Sequence, residues 1–365
     1  MCGDENVMDF SEIFEDKTKY GTKLKTDEYE EQGKYLIVDQ GQELIAGYTD
    51  KKEGFFSELP VIIFGDHTRI LKYIDQPFYI GADGVKILRC KLQNANYRYL
   101  FYALKNVYIP NTGYNRHFKW LKQSSIKYPD SVTQNRIVKI LDTVSGIIQL
   151  RKKELNQLDY LIKSRFIEIF GDPVSNPKGM VKKTLPELGE FGRGVSKHRP
   201  RNDKALLGGP YPLIQTGDIA NSGMYITEYH STYSELGLRQ SKLWDKGTLC
   251  ITIAANIAKT AILGFDACFP DSVVGFNANE NTNNVFVHYW FSFFQEILES
   301  QAPESAQKNI NLKILSELEV IVPDVQEQNK FAAFVAQIDK SKAVIQKALD
   351  ETQLLFDSLM QKYFG

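Results

Sequence analysis

Apolar residues recur at intervals of three and four along two stretches of this chain. In the first they fall at Ile137, Ile140, Leu141, Val144, Ile147, Ile148, Leu155, Leu158, Leu161, Ile162, Phe166 and Ile169. In the second they fall at Phe331, Phe334, Val335, Ile338, Val344, Ile345, Leu349, Leu355, Phe356, Leu359 and Phe364. Such spacing lays one apolar stripe along a helix and predicts two amphipathic rods, each roughly 60 Å long at about 1.5 Å per residue. Pro129-Asp130 precedes the first and Pro323-Asp324 the second, a fixed φ followed by a capping oxygen. Elsewhere the pattern changes to short β-branched and aromatic runs broken by Gly, Asp and Pro. "KYLIVDQGQ", "LPVIIFG" and "GVKILRC" lie before the first rod, and "YPLIQTGDIA", "GTLCITIAA" and "NVFVHYWF" lie between the rods. These runs predict a small twisted sheet or barrel with long loops in each of two heads. Each head closes with a helical stretch, 96–106 and 287–300.

The rods repeat one another. Leu121–Gly171 aligns with Leu315–Gly365 at a constant offset of 194, without gaps, and 11 of the 51 positions are identical. Among them are Pro129, Asp130, Gln134, Asn135, Phe170 and Gly171, with Asn115 and Lys119 matched by Asn309 and Lys313 just upstream. The heads align more weakly: "FSEIFED" with "LPELGEF", and "LIVDQGQELIAG" with "PLIQTGDIANSG". The second head carries the extra length in its loops. A repeat of this kind predicts an antiparallel two-stranded coiled coil with pseudo-two-fold symmetry. The division is 1–120 and 172–314 as heads, with 121–171 and 315–365 as spacers.

Charge changes the picture only locally. The 365-residue chain has a net charge of −1, so any nucleic-acid partner must be held by patches rather than by a global field. Cys2, Cys90, Cys250 and Cys268 are scattered, with no C-x-x-C pair, as expected of idle thiols in a reducing compartment. The acidic start and the absence of a long apolar run point to a cytoplasmic protein without a membrane partner. No Walker loop and no Asn-Pro-Pro-Tyr methylation motif occurs, and "FGRG" at 191–194 follows no strand-like run. No catalytic residue and no metal ligand is assigned.

Three features together carry a family resemblance: "LEVIVPDVQEQNKFAAFV" preceded by Asn309-Ile-Asn-Leu, its first-half equivalent "IKYPDSVTQNRIVKIL", and the head–rod–head–rod order. With "LPELGEF", "PLIQTGDI" and "LPVIIFGDHTR" they make the whole chain resemble the specificity subunit of a Type I DNA restriction–modification system. The resemblance implies an α+β protein with two target-recognition domains, each reading half of a split sequence in double-stranded DNA. It implies that the helical pair sets the unread gap. Two methyltransferase subunits and two restriction motor–nuclease subunits would join it. S-adenosylmethionine, Mg and ATP would belong to those partners, with no cofactor in this chain and no enzymatic activity of its own. A coiled-coil adaptor whose heads bind proteins is the alternative, and fits the near-neutral charge and the 12% aromatic content.

A DNA reader needs Arg, Lys, Asn, Gln or Thr at loop tips and cations against phosphates. Residues 193–204 carry Arg193, Lys197, Arg199, Arg201 and Lys204 against Asp203, a net charge of +4. His67, Thr68 and Arg69 follow a strand-like run, as do Gln215 and Thr216, although Asp218 beside the latter could simply close a turn. Arg116 completes the set, with His117 beside it. Lys17, Lys19, Lys23 and Lys25 form a further basic stretch. The repetition of Asn115 favours a structural or inter-subunit role for that residue.

Overall fold

The computed structural model describes residues 6–81, 83–254, 257–301 and 312–365. Asn309, one of the repeated positions, lies outside them. The chain divides into two compact units, Met1–Lys153 with Gln346–Gly365, and Glu154–Ile345.

In the first unit a short strand, Val7–Asp9, pairs antiparallel with Ser125–Lys127, just ahead of the first rod. Between them lies the first head. A helical turn, Phe10–Ile13, leads into an open antiparallel sheet ordered Phe14–Asp16, Val85–Cys90, Val61–Gly65, Leu71–Ile74. All five residues of Val61–Gly65 are buried, which is why this strand shows no alternation of apolar and polar positions. A second sheet has Tyr35–Val38 at its centre, antiparallel to Gly47–Thr49 and parallel to Phe78–Ile80.

The second unit repeats this plan. Lys182–Thr184 pairs antiparallel with Glu319–Ile321 ahead of the second rod. The helix Leu185–Leu188 leads into a five-stranded sheet ordered Gly189–Arg193, Val273–Ala278, Leu249–Thr252, Thr260–Leu263, Tyr225–Ile226. Leu207–Leu213 is flanked by Ser231–Tyr233 antiparallel and Ala267–Cys268 parallel, the same arrangement as around Tyr35–Val38. The strands Tyr225–Ile226 and Leu243–Trp244 and the helices Thr216–Asn221 and Glu235–Arg239 take up the extra length. Among the described residues the sheets are open, and none closes into a barrel.

The rods are single helices of 40 residues, Ser131–Phe170 and Val325–Phe364, and each lends residues to both units. In the first unit Ile137 and Leu141, near the start of the first rod, share a core with Phe356, Leu359 and Met360, near the end of the second. In the second unit Ile162, Phe166 and Phe170 share a core with Phe331 and Val335. Beginning packs on end in both, so the pairing within each unit is antiparallel. The head helices Tyr97–Asn106 and Asn284–Gln301 pack into the same two cores, so head and rod are one folded body in each unit.

The repeated Pro-Asp-x-x-x-Gln-Asn sequence accounts for that weld. Asp130 Oδ1 accepts from the backbone N–H of Val132 (2.9 Å) and Thr133 (3.0 Å), and Asp324 Oδ1 from that of Gln326 (2.8 Å), capping each rod. Gln134 donates back to the Pro129 carbonyl (2.8 Å) and Gln328 to that of Pro323 (2.9 Å). Asn135 accepts from Asn96 Nδ2 (2.8 Å) and Asn329 from Asn283 Nδ2 (3.0 Å). Asn96 and Asn283 in turn cap the two head helices, through Tyr99 N (3.0 Å) and Phe286 N (2.8 Å). At the far end of the first rod Gly171 sits at φ +79°, where a side chain would be strained, and its N–H donates to Ile167 O (2.7 Å).

Candidate nucleic-acid interface

In the first head, the hairpin between Val61–Gly65 and Leu71–Ile74 holds His67, Thr68 and Arg69. Arg69 occupies the left-handed region (φ 63°), and its guanidinium donates to Ile109 O (3.2 Å). Thr68 Oγ1 donates to Gln40 O (2.7 Å), and the His67 N–H to Gln40 Oε1 (3.2 Å). The His67 ring stacks on Tyr114, with centroids 4.7 Å apart and planes 8° from parallel. The side chains of Thr68 and Arg69 are thus engaged with their own head. His67 joins this hairpin to the loop 109–117.

That loop is pinned at its base and open at its tip. His117 is fully buried, with Nδ1 3.0 Å from Asp66 O, and the Phe118 N–H donates to Asp66 Oδ1 (2.7 Å). Tyr114 is 87% exposed, and Arg116 is exposed with no hydrogen bond or ion pair among the described residues. Lys23 hydrogen-bonds Asp83 and holds its carboxyl below the usual carboxylate range, with Arg116 adding to the effect. Lys17 pairs with Glu15 at 3.1 Å, and Lys19 lies over the Tyr20 ring at 4.8 Å, so the stretch from Lys17 to Lys25 is largely occupied locally.

A signal in the sequence identifies this face more clearly than the hairpin does. Residues 84–129 contain nine Lys and Arg and no Asp or Glu. Several of the nine are engaged. Lys86, Arg89 and Arg98 pair with Asp16, Glu58 and Asp142, Lys91 donates to Ser11 O, and Lys127 to Gly365 O. Lys119 and Lys122 are exposed, and among the described residues their ammonium groups meet only the rings of Trp120 and Phe118, at 4.8 and 5.3 Å. They stand beside Arg116 as residues that charge counting in this window would have found.

In the second head Arg193 ends the outer strand of the five-stranded sheet, exposed and without a partner among the described residues. The backbone of Lys197 is held by Gln240 Oε1 (2.7 Å), which leaves its ammonium in solvent. Arg199 donates to Ser196 O (2.6 Å), and both Arg199 and Arg201 reach Asp271, at 3.6 and 2.6 Å. Two guanidinium groups share one carboxylate, so the loop keeps an excess of positive charge. His198 lies 3.1 Å from Asp203, and the Ala205 N–H and His198 keep that carboxyl below its usual range.

Gln215 and Thr216 lie apart from this loop, at the start of the helix Thr216–Asn221. The Gln215 N–H donates to Asp218 Oδ2 (2.8 Å), so Asp218 closes the turn. Asp218 Oδ1 also lies 2.9 Å from His230 Nδ1. Gln215, Asp218, Asn221, Glu228 and His230 line an open groove of about 560 Å³. Its amides and imidazole offer donors and acceptors of the kind that read base edges.

Two pinned basic segments with an excess of positive charge, one on each of two repeated heads, suit a long anionic partner better than a small molecule. The sequence profile described as the Type I restriction modification DNA specificity domain matches residues 4–160 and 177–352. The chain belongs to this family. The two matches fall on the two copies of the repeat, and together they leave little of the chain outside. The specificity subunit of a Type I restriction enzyme of Escherichia coli is 23% identical over 355 residues, 89% of this chain and 84% of that one. Among solved structures, the S subunit of a Type I restriction–modification system from M. genitalium has a TM-score of 0.56 at 17% identity, covering 100% of this chain and 98% of that one. A structure described as the basis of complex assembly and conformational transition of the Type I system gives 0.53 at 17%, covering 98% and 96%. This chain is a DNA-specificity subunit: it supplies target recognition to a Type I restriction–modification complex, and the chemistry belongs to other subunits.

Proposed function

We propose that the two heads read the two halves of a split target in double-stranded DNA and that the paired rods set the unread gap between them. In this reading residues 1–120 and 172–314 are the target-recognition domains, and 121–171 and 315–365 are the spacers. The observation that carries it is the duplicated unit, in which the same Asn–Asn contact ties each head helix to the start of one rod and one core takes in the head and the ends of both rods. A scaffold kept alike beneath heads that differ is what a reader of two unlike half-sites needs.

Modification subunits dock on the rods, one for each copy of the repeat. Supporting this, exposed apolar residues on the rods recur at the repeat offset. Leu150 and Val344 are 66% and 69% exposed, Tyr160 and Leu354 are 74% and 70%, and Leu161 and Leu355 are 44% and 51%. A monomer has no use for exposed apolar side chains at matching places, whereas two copies of one partner do. Two motor–nuclease subunits complete the restriction form. S-adenosylmethionine, Mg and ATP act in these partners, in the cytoplasm.

The test is methylation mapping at single-base resolution, using DNA from cells that express this chain with its modification subunit. Modified adenines confined to one split, asymmetric motif are expected. Methylation without preference for a bipartite sequence would sink the proposal.

A further inference from the structure

We infer that Arg116, Lys119 and Lys122, where the first head joins its spacer, form a sequence-independent clamp on the DNA phosphate backbone, distinct from whatever reads the bases. The inference rests on the DNA-recognition reading above and adds a division of labour within one head.

Three observations carry it. First, the three cations are spaced at every third residue, while Phe118 and Leu121 between them are 8% and 0% exposed. The buried pair anchors the short helix Phe118–Leu121, and Arg116 before it, Lys119 within it and Lys122 just after it are exposed. Second, their mounting is stiff. Arg69 holds the Ile109 carbonyl, His117 and Phe118 are tied to Asp66, and Tyr114 stacks on His67. Cations held on a fixed loop lose little conformational freedom on binding, which favours their use as contacts. Third, part of this segment, including one of the three cations, is shared between heads that otherwise diverge. Asn115, Lys119 and Leu121 are matched 194 residues later by Asn309, Lys313 and Leu315. An element common to two heads must meet something common to two unlike half-sites. The phosphate backbone is such a feature, and base edges are not.

Charge supports the choice of occupant. No carboxylate falls between Asp83 and Asp130, and the three cations have no ion-pair partner among the described residues. The second head keeps less of this clamp. Lys313 remains but pairs with Glu317 at 3.7 Å, while Arg116 is replaced by Ile310 and Lys122 by Ser316.

The experiment uses the complex of the full chain with its modification subunit, carrying Arg116→Gln, Lys119→Gln and Lys122→Gln together. Affinity for target and for unrelated DNA of equal length is measured from about 50 to 200 mM salt. Each phosphate contact contributes about 0.9 to the slope of log K against log salt, so the triple variant should flatten it by about 2.7. Binding to both DNAs should weaken together, with the methylated motif unchanged. The charge-keeping variant Arg116→Lys/Lys119→Arg/Lys122→Arg should bind like the parent, which separates charge from folding. An unchanged slope would overturn the clamp. An altered motif would make these residues base readers instead. Loss of the modification subunit with DNA affinity intact would make them a docking patch. A parent complex with no salt-dependent DNA affinity would overturn the recognition reading as well.

Discussion

Gln328 and Gln134 occupy the same place in the repeat but carry different loads. Gln328 is fully buried; it donates to Pro323 O (2.9 Å) and Asn281 O (3.1 Å) and accepts from Thr282 Oγ1 (2.8 Å). The Gln134 amide donates to Pro129 O (2.8 Å) and also hydrogen-bonds the Tyr128 hydroxyl. Gln328→Ala would leave several buried polar groups unpaired, at about 1–3 kcal/mol each, and Gln134→Ala fewer. We expect a loss of about 3 kcal/mol for the first and about half that for the second, read from urea unfolding; equal losses would contradict this account. His288 offers a second test. Burial, with the nearby Lys342 ammonium, pushes its pKa down to about 4, and Nδ1 lies 2.9 Å from Thr260 Oγ1. The fold favours the neutral ring, so its contribution is whole above the unfolded value of about 6.5. It is lost as pH falls from there toward about 4. Thermal melts should therefore show the parent losing more stability than His288→Gln between pH 7 and 4.5, and identical losses would exclude the effect. At this scale the sequence was least legible. Thr68 and Arg69 stand in the hairpin loop, and the residues that hydrogen-bond their side chains, Gln40 and Ile109, are distant in the chain.

At the scale of elements the reading was far more complete, because helix signals are local. The apolar period, the Pro-Asp start and the Phe-Gly end mark both rods, and each is a 40-residue helix. The internal contacts of the rods explain why the stripe is apolar but not uniform. Phe166 and Phe331 are fully buried in one core, while Lys342 and Asp159 pair at 2.6 Å on the outside. The period also makes a ruler testable. A heptad added to each rod, after Ser145 and after its repeat mate Asp339, preserves the stripe and lengthens each helix by about 10 Å. The mapped motif should then keep both half-sequences and widen only its gap. Altered half-sequences with an unchanged gap would show that the rods do not set the spacing. The sheets were less legible than the rods. Short buried runs such as Val61–Gly65 announce a strand but not its neighbours, and the parallel pairing of Tyr35–Val38 with Phe78–Ile80 joins segments far apart in the chain.

The whole molecule is one plan executed twice. Each unit holds a four- or five-stranded sheet, a smaller sheet with one parallel pair, a head helix and the ends of both rods. Because each head is bonded to the rods through repeated residues, a head should be exchangeable along those seams. Replacing residues 172–314 with the corresponding head of another family member should change one half of the methylated motif and leave the other half and the gap alone. A change in both halves would mean that the heads do not read independently.

Periodicity, capping chemistry and self-similarity at an offset of 194 determined from sequence alone that this is a duplicated head-and-rod protein. Each of these signals lies within a few turns of helix or in a direct comparison of the chain with itself. Which cations remain available to DNA was decided only by the tertiary structure. Arg199 and Arg201 share Asp271, 70 residues beyond Arg201, and Arg98 is taken up by Asp142, 44 residues away, while Arg116, Lys119 and Lys122 find no carboxylate among the described residues. Ion pairing depends on distance in space, and only the folded chain sets that distance.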